Sequence, residues 1–145
     1  MMAGMTLIVK TASRLLFPFV LLFGIYIVLH GHLTPGGGFP GGVLIAAAIV
    51  MLLLGYGADA AKAKFSPLQA SVSENIGSLI LVATGLLGLF LGLNFMNNVI
   101  PLGTTGNLYS AGIIVPLNIG VGIKVAAGLA VILYTMFTAF EGEKK

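Results

Sequence analysis

Residues 30–42 read HGHLTPGGGFPGG, a glycine- and proline-dense stretch between two apolar runs. Four readings are open for it: a ligand-binding loop, a phosphate cradle, a re-entrant ion-conducting segment, or a sharp turn between two helices. The phosphate cradle fails on spacing. A P-loop needs G-x-x-x-x-G-K-[ST], whereas Gly36 and Gly41 are followed by Gly42 and Val43, with no lysine. Pro35 and Pro40 stop or start helices, and glycine admits positive φ, so the residues suit a tight backbone passage. Irregular backbone at membrane depth is tolerated only where protein or water covers it. The stretch therefore reads as a covered turn, and the runs on either side decide the fold.

Those runs belong to a chain of 145 residues that is 58% hydrophobic and 8% charged, with a mean hydropathy of +1.10. Ordinary soluble domains carry roughly 25% charge, and a chain this short could not hide so much apolar surface in one core. An integral membrane protein follows. The net charge of +3 comes from dispersed basic residues that form no phosphate-tracking patch, so nucleic acid is excluded as a partner. Cysteine is absent, which removes disulfides and thiolate chemistry.

About 20 apolar residues cross about 30 Å of hydrocarbon. Four such spans are predicted, over about 13–32, 39–59, 74–97 and 113–140, as one all-α domain without a repeat. No small-residue cleavage site follows the first span, so it is expected to be a retained anchor. Lys10, Arg14, Lys62, Lys64, Lys144 and Lys145 all fall on one side, as do Asp59, Glu74, Glu141 and Glu143. The loops 30–38 and 97–112 carry no charged residue, and the positive-inside rule then puts both termini in the cytoplasm. The connector ADAAKAKFSPLQASVSEN is expected to be polar until a helix start capped by Ser71 or Ser73, with Glu74 near that N-terminus. Pro116 fits the first turn of the last span.

Away from the span ends, where Arg14, Asp59 and Glu74 fall, Lys124 is the one formal charge inside a predicted span. A central lysine costs about 2.5 to 3.5 kcal/mol on insertion scales and must face protein, water or a partner. With Glu74 assigned to the cytoplasmic edge, the expected counter-charge is a carboxylate on another subunit or a hydrated cavity. The alternative is that the four-carbon stem snorkels to the outer interface. His30 and His32 are two residues apart and point to different sides of a helix, which disfavours joint metal binding. They read as interfacial imidazoles bonded to loop carbonyls, or as an outer entry point for protons or cations. Glu74 reads as a cap or as part of a cation-attracting mouth, and Thr84 as a hydroxyl bonded back to its own helix. Asn94, Asn97, Asn98, Thr104 and Thr105 are loop residues or neutral oxygen ligands. Gly85, Gly88 and Gly92, and Gly120 and Gly128 flanking Lys124, are expected to form close helix–helix faces. No catalytic constellation, metal site or cofactor motif is found.

The string GHLTPGGGFPGG resembles the G-H-x-x-P-G-G-G-F-x-G-G signature of the MnhB/MrpB-like component of Mrp-type multisubunit sodium/proton antiporters. Gly31, His32, Pro35, Gly36, Gly37, Gly38, Phe39, Gly41 and Gly42 match in register. The same domain recurs in the antiporter-derived membrane arm of archaeal membrane-bound hydrogenases. The resemblance covers the chain's length, four spans and short outer loop. It implies a small, non-redox, non-catalytic subunit in a prokaryotic cell membrane, packed among large and small antiporter-type subunits and helping to form a sodium path. It also implies a lysine in the last span, which Lys124 matches. A scaffold without ion contact and a self-assembling small exporter remain as alternatives, although the exporter's usual intramembrane carboxylate is absent on this reading.

Overall fold

The computed structural model describes residues 6–142. Among the described residues five helices form: α1 (Leu7–His30), α2 (Gly38–Tyr56), α3 (Ala58–Lys64), α4 (Pro67–Phe90) and α5 (Ile114–Gly142). Four of them, all but α3, are long and apolar enough to cross a membrane. Helix α1 packs on α2, α2 on α5, and α5 on α4, so two sequence-local hairpins join through the α2–α5 seam. Glu143, Lys144 and Lys145, used above for orientation, lie outside the described residues.

Glycine sets the approach at each crossing. A methyl on Gly41 would sit 2.5 Å from Val28 Cγ2 and 2.9 Å from the Gly24 carbonyl, both on α1. One on Gly42 would sit 2.8 Å from the Gly122 carbonyl and 2.8 Å from Val125 Cβ, both on α5. Gly38 faces α5 as well, against Val121 and Gly122. The GGG and PGG elements are therefore not all loop. Only Gly31–Gly37 link the helices, and Gly38, Gly41 and Gly42 form the first turns of α2, where three helices meet. Gly37 takes φ of +118° as the residue before that helix, a backbone conformation that favours glycine.

Helix α1 starts at Leu7, six residues before the expected start, and both boundaries of α4 differ from expectation for local causes. Helix α4 starts at Pro67, seven residues before the expected start of the third span. Ser66 caps it, accepting from Gln69 N–H at 3.2 Å while Gln69 Oε1 accepts from Ser66 N–H at 2.9 Å. That reciprocal pair, with proline in the first helical position, is a strong start signal. Ser71 and Ser73 consequently lie inside the helix and do not cap it. At the other end α4 stops at Phe90, and Gly92 is not helical. It adopts φ of +74° while Gly92 N–H and Leu93 N–H bond back to Leu89 and Gly88 carbonyls at 3.0 and 2.9 Å, a Schellman stop.

Gly85 and Gly88 also depart from the expected helix–helix role. They admit the chain that folds back after α4: a methyl on Gly85 would meet the Phe95 ring at 2.7 Å, and one on Gly88 would meet Asn97 Cβ at 3.3 Å. The connector's alanine-rich ADAAKAK is helical as α3, consistent with alanine's high propensity. The Tyr134 hydroxyl on α5 donates to the Phe65 carbonyl at 2.7 Å and lies 3.5 Å from the Ala61 carbonyl, holding the end of α3 over a core of Ile49, Leu53, Ala70 and Ala130.

Candidate functional site

The early start of α4 changes what Glu74 is. It stands seven residues into the helix, about 10 Å along the axis at about 1.5 Å per residue, rather than at its mouth. Helix α5 crosses α4 where glycines permit close approach. A methyl on Gly77 would lie 2.8 Å from Lys124 N and 2.9 Å from the Gly120 carbonyl, and one on Gly128 would rest 3.7 Å from Glu74 Oε1. The missing side chain of Gly128 leaves the room in which the carboxylate lies.

Lys124 Nζ sits 3.6 Å from Glu74 Oε1 and donates to Ser78 Oγ at 2.7 Å. Ser78 Oγ in turn donates to the Glu74 carbonyl at 3.0 Å, so its hydroxyl is oriented with a lone pair toward the ammonium. The counter-charge expected on another subunit is thus within this chain. An acidic residue does lie in reach of Lys124, because the start of α4 brings Glu74 into the span. Neither group is enclosed: 43% of the Lys124 side chain and 37% of the Glu74 side chain remain exposed in the single chain. Within a bilayer, an ion pair open to hydrocarbon is unfavourable, so water or another protein surface must complete the site.

The opposite end of the bundle carries a second polar group of residues. Asn118 Oδ1 on α5 accepts from Gly38 N–H at 3.3 Å, tying α5 to the start of α2. His32 Nε2 lies 3.4 Å from the Asn107 carbonyl, which also accepts from Ser110 Oγ at 2.6 Å. His32 Nδ1 and Asn118 Nδ2 are buried atoms without a hydrogen-bond partner among the described residues. His30 turns away from His32, stacking on Tyr26 with ring centres 4.1 Å apart and placing Nδ1 3.1 Å from the Tyr26 carbonyl. Asn98 accepts from Ile113 N–H at 3.1 Å, and Asn107 Nδ2 donates to Thr104 Oγ1 at 2.6 Å, both within the loop. Thr84 Oγ1 donates to the Ile80 carbonyl at 2.7 Å.

The structure does not gather these candidates into one site. Lys124, Glu74 and Ser78 cluster, whereas His30, His32 and Thr84 lie apart from them. Asn118 and Lys124 are six residues apart on α5, about 240° around the helix at about 100° per residue, one facing α2 and the other α4. Among the described residues no three His, Asp or Glu side chains converge on a metal-sized space. Ser78, Asn118 and Tyr134 were missed by the sequence reading. Ser78 had a readable signal, because it follows Glu74 by four residues and so shares its helix face.

Residues 8–131 match the family described as the domain related to the MnhB subunit of Na+/H+ antiporter. The corresponding Na(+)/H(+) antiporter component of Bacillus subtilis is 36% identical over 92 residues, covering 63% of this chain and 64% of that protein. A putative antiporter subunit mnhB2 of Staphylococcus epidermidis is 31% identical over 134 residues, covering 86% and 92% respectively. A chain in the structure of the membrane-bound sulfane sulfur reductase, an archaeal respiratory membrane complex, superposes with a TM-score of 0.79 at 37% identity, covering 93% of this chain and 59% of that one. A Methanocaldococcus jannaschii relative, 38% identical over 113 residues, is longer, and the match covers 43% of its length. With a signature loop in register and a family match over nearly all of the four-helix bundle, this membrane chain belongs to the MnhB-related family of Na+/H+ antiporter subunits.

Proposed function

We propose that the chain serves as a small, non-catalytic subunit of a multisubunit cation/proton antiporter module, free-standing or built into a respiratory membrane complex. Its both-termini-inside orientation rests on the one-sided placement of its basic residues. Within that module, the Glu74–Lys124 pair borders a cation path completed by a neighbouring subunit, and Lys124 is its charge gate. The observation that carries this reading is the pair itself: opposite charges 3.6 Å apart on a transmembrane helix crossing, each more than a third uncovered. A cation approaching Glu74 competes with the lysine ammonium, which can retain Ser78 Oγ while releasing the carboxylate. Asn118 ties the start of α2 to α5, and His32 ties the signature loop to the loop before α5, so both serve to order the signature loop.

The test is sodium-dependent proton transport in everted vesicles carrying the whole complex with Lys124→Met, alongside blue-native electrophoresis of the same membranes. Loss of transport with normal assembly is the expected result. Unchanged transport in assembled Lys124→Met and Glu74→Gln complexes would sink the gate and leave the scaffold reading. Transport by the chain alone, as a homo-oligomer, would instead support the exporter.

A further inference from the structure

Helices α1 and α4 do not pack on one another, and the space between them is a groove floored by α2 and α5. One part, about 490 Å³, is walled by Phe17, Leu21, Ile45, Ile49, Ile123 and Ala127. A second part, about 430 Å³, lies toward the basic end and is lined by Arg14, Tyr56 and Lys64. The two share Phe17, Leu52 and Lys64, so they form one groove with an apolar body and a cationic mouth. Arg14 and Lys64 are exposed and make no ion pair among the described residues.

From this arrangement we infer that the groove is a binding site for one anionic phospholipid. Its phosphate lies between the Arg14 guanidinium and the Lys64 ammonium, and an acyl chain lies along Phe17, Leu21 and Ile49. Three features select this occupant. A soluble phosphate would leave the apolar body unfilled, and a neutral lipid would leave two cations without an anion among the described residues. A hydrophobic partner helix has the same charge defect. Arg14 offers a planar fork matched to phosphate oxygens, Lys64 a point charge, and Tyr56 a ring of the kind favoured at headgroup level. The groove is distinct from the Glu74–Lys124 crossing, and the inference does not depend on the role proposed for that pair.

The chain contains no tryptophan, so one introduced indole reports on its surroundings without background. Phe17→Trp, a conservative exchange in the wall shared by both parts, is reconstituted as the full chain in nanodiscs with brominated phosphatidylglycerol or brominated phosphatidylcholine. Brominated phosphatidylglycerol is expected to quench as a ligand bound roughly ten times more tightly than brominated phosphatidylcholine. In Phe17→Trp/Arg14→Gln/Lys64→Gln the ratio falls toward one, while Leu79→Trp on the lipid-facing side of α4 shows no preference. Should Phe17→Trp fail to fold, Leu21→Trp replaces it, and native mass spectrometry of the tryptophan-free chain counts retained phosphatidylglycerol with and without Arg14→Gln/Lys64→Gln. Equal quenching by both lipids overturns the inference, as does a preference that survives loss of both cations. Absence of quenching in the assembled complex, which means that a partner subunit fills the groove, also overturns it.

Discussion

Separating Glu74 from Lys124 gives the most direct measure of whether the crossing of α4 and α5 carries a working ion pair. At 3.6 Å and an effective dielectric of about 20, the gross attraction is about 4 to 5 kcal/mol. Desolvation offsets much of this, so the net worth of the intact pair is small. Removing one partner is different, because it strands the other charge at membrane depth for about 2.5 to 3.5 kcal/mol. Allowing for partial exposure, Lys124→Met and Glu74→Gln should each destabilise the bundle by about 2 kcal/mol, with Lys124→Met also releasing Ser78. The double variant leaves no stranded charge, so it should lose no more than either single, giving a coupling energy of about 2 kcal/mol, roughly thirtyfold in the folding equilibrium. The assay is SDS-titrated unfolding of the purified chain from mixed micelles, followed by circular dichroism for the parent, both singles and the double. Additive losses, or singles within about 0.5 kcal/mol of the parent, would refute the reasoning.

The other expectations concern the scaffold. Gly42→Ala places a methyl 2.8 Å from both the Gly122 carbonyl and Val125 Cβ; the α2–α5 seam must part, at about 1 to 3 kcal/mol. Thermal denaturation in detergent should register this as a lowered midpoint. Tyr134→Phe removes the hydroxyl held by the Phe65 carbonyl at a cost of about 1 kcal/mol, read as faster proteolysis of the α3–α4 connector. Ser66→Ala breaks the capping box for about 1 kcal/mol. Amide exchange should then rise in the first turn of α4, ahead of Glu74, and not at its Schellman end.

Hydropathy alone was enough to read the spans, because apolar length is what a bilayer selects. It misplaced α4 for the same reason. Gln69, Ser71, Ser73, Glu74 and Asn75 make the first turns of that helix polar, so an apolar window begins too late. The corrective signal was local and present: Ser66, Pro67 and Gln69 spell a capped helix start. Shifting the start by seven residues turned an edge carboxylate into the partner of Lys124. The glycine spacing was legible as close approach but not as to what approaches. Gly85 and Gly88 share α4 with Gly77, yet they receive a returning loop, a long-range outcome that spacing along one helix does not contain. Asn118 could not be found from pattern at all, since its role is set by the backbone of Gly38, eighty residues away in sequence.

The pairing of α1 with α2 and of α4 with α5 has a consequence for biogenesis. Each pair is contiguous in sequence, so each can close as soon as its second helix has left the insertion machinery. The seam of Gly38 and Gly42 against Gly122 must wait for α5, and it is the step that turns two hairpins into one subunit. Chain delivered as two halves, cut in the α3–α4 connector, would still contain each hairpin whole. Its joining would then depend on that seam and on the Tyr134 tether, so quality control of this protein is concentrated in its last helix.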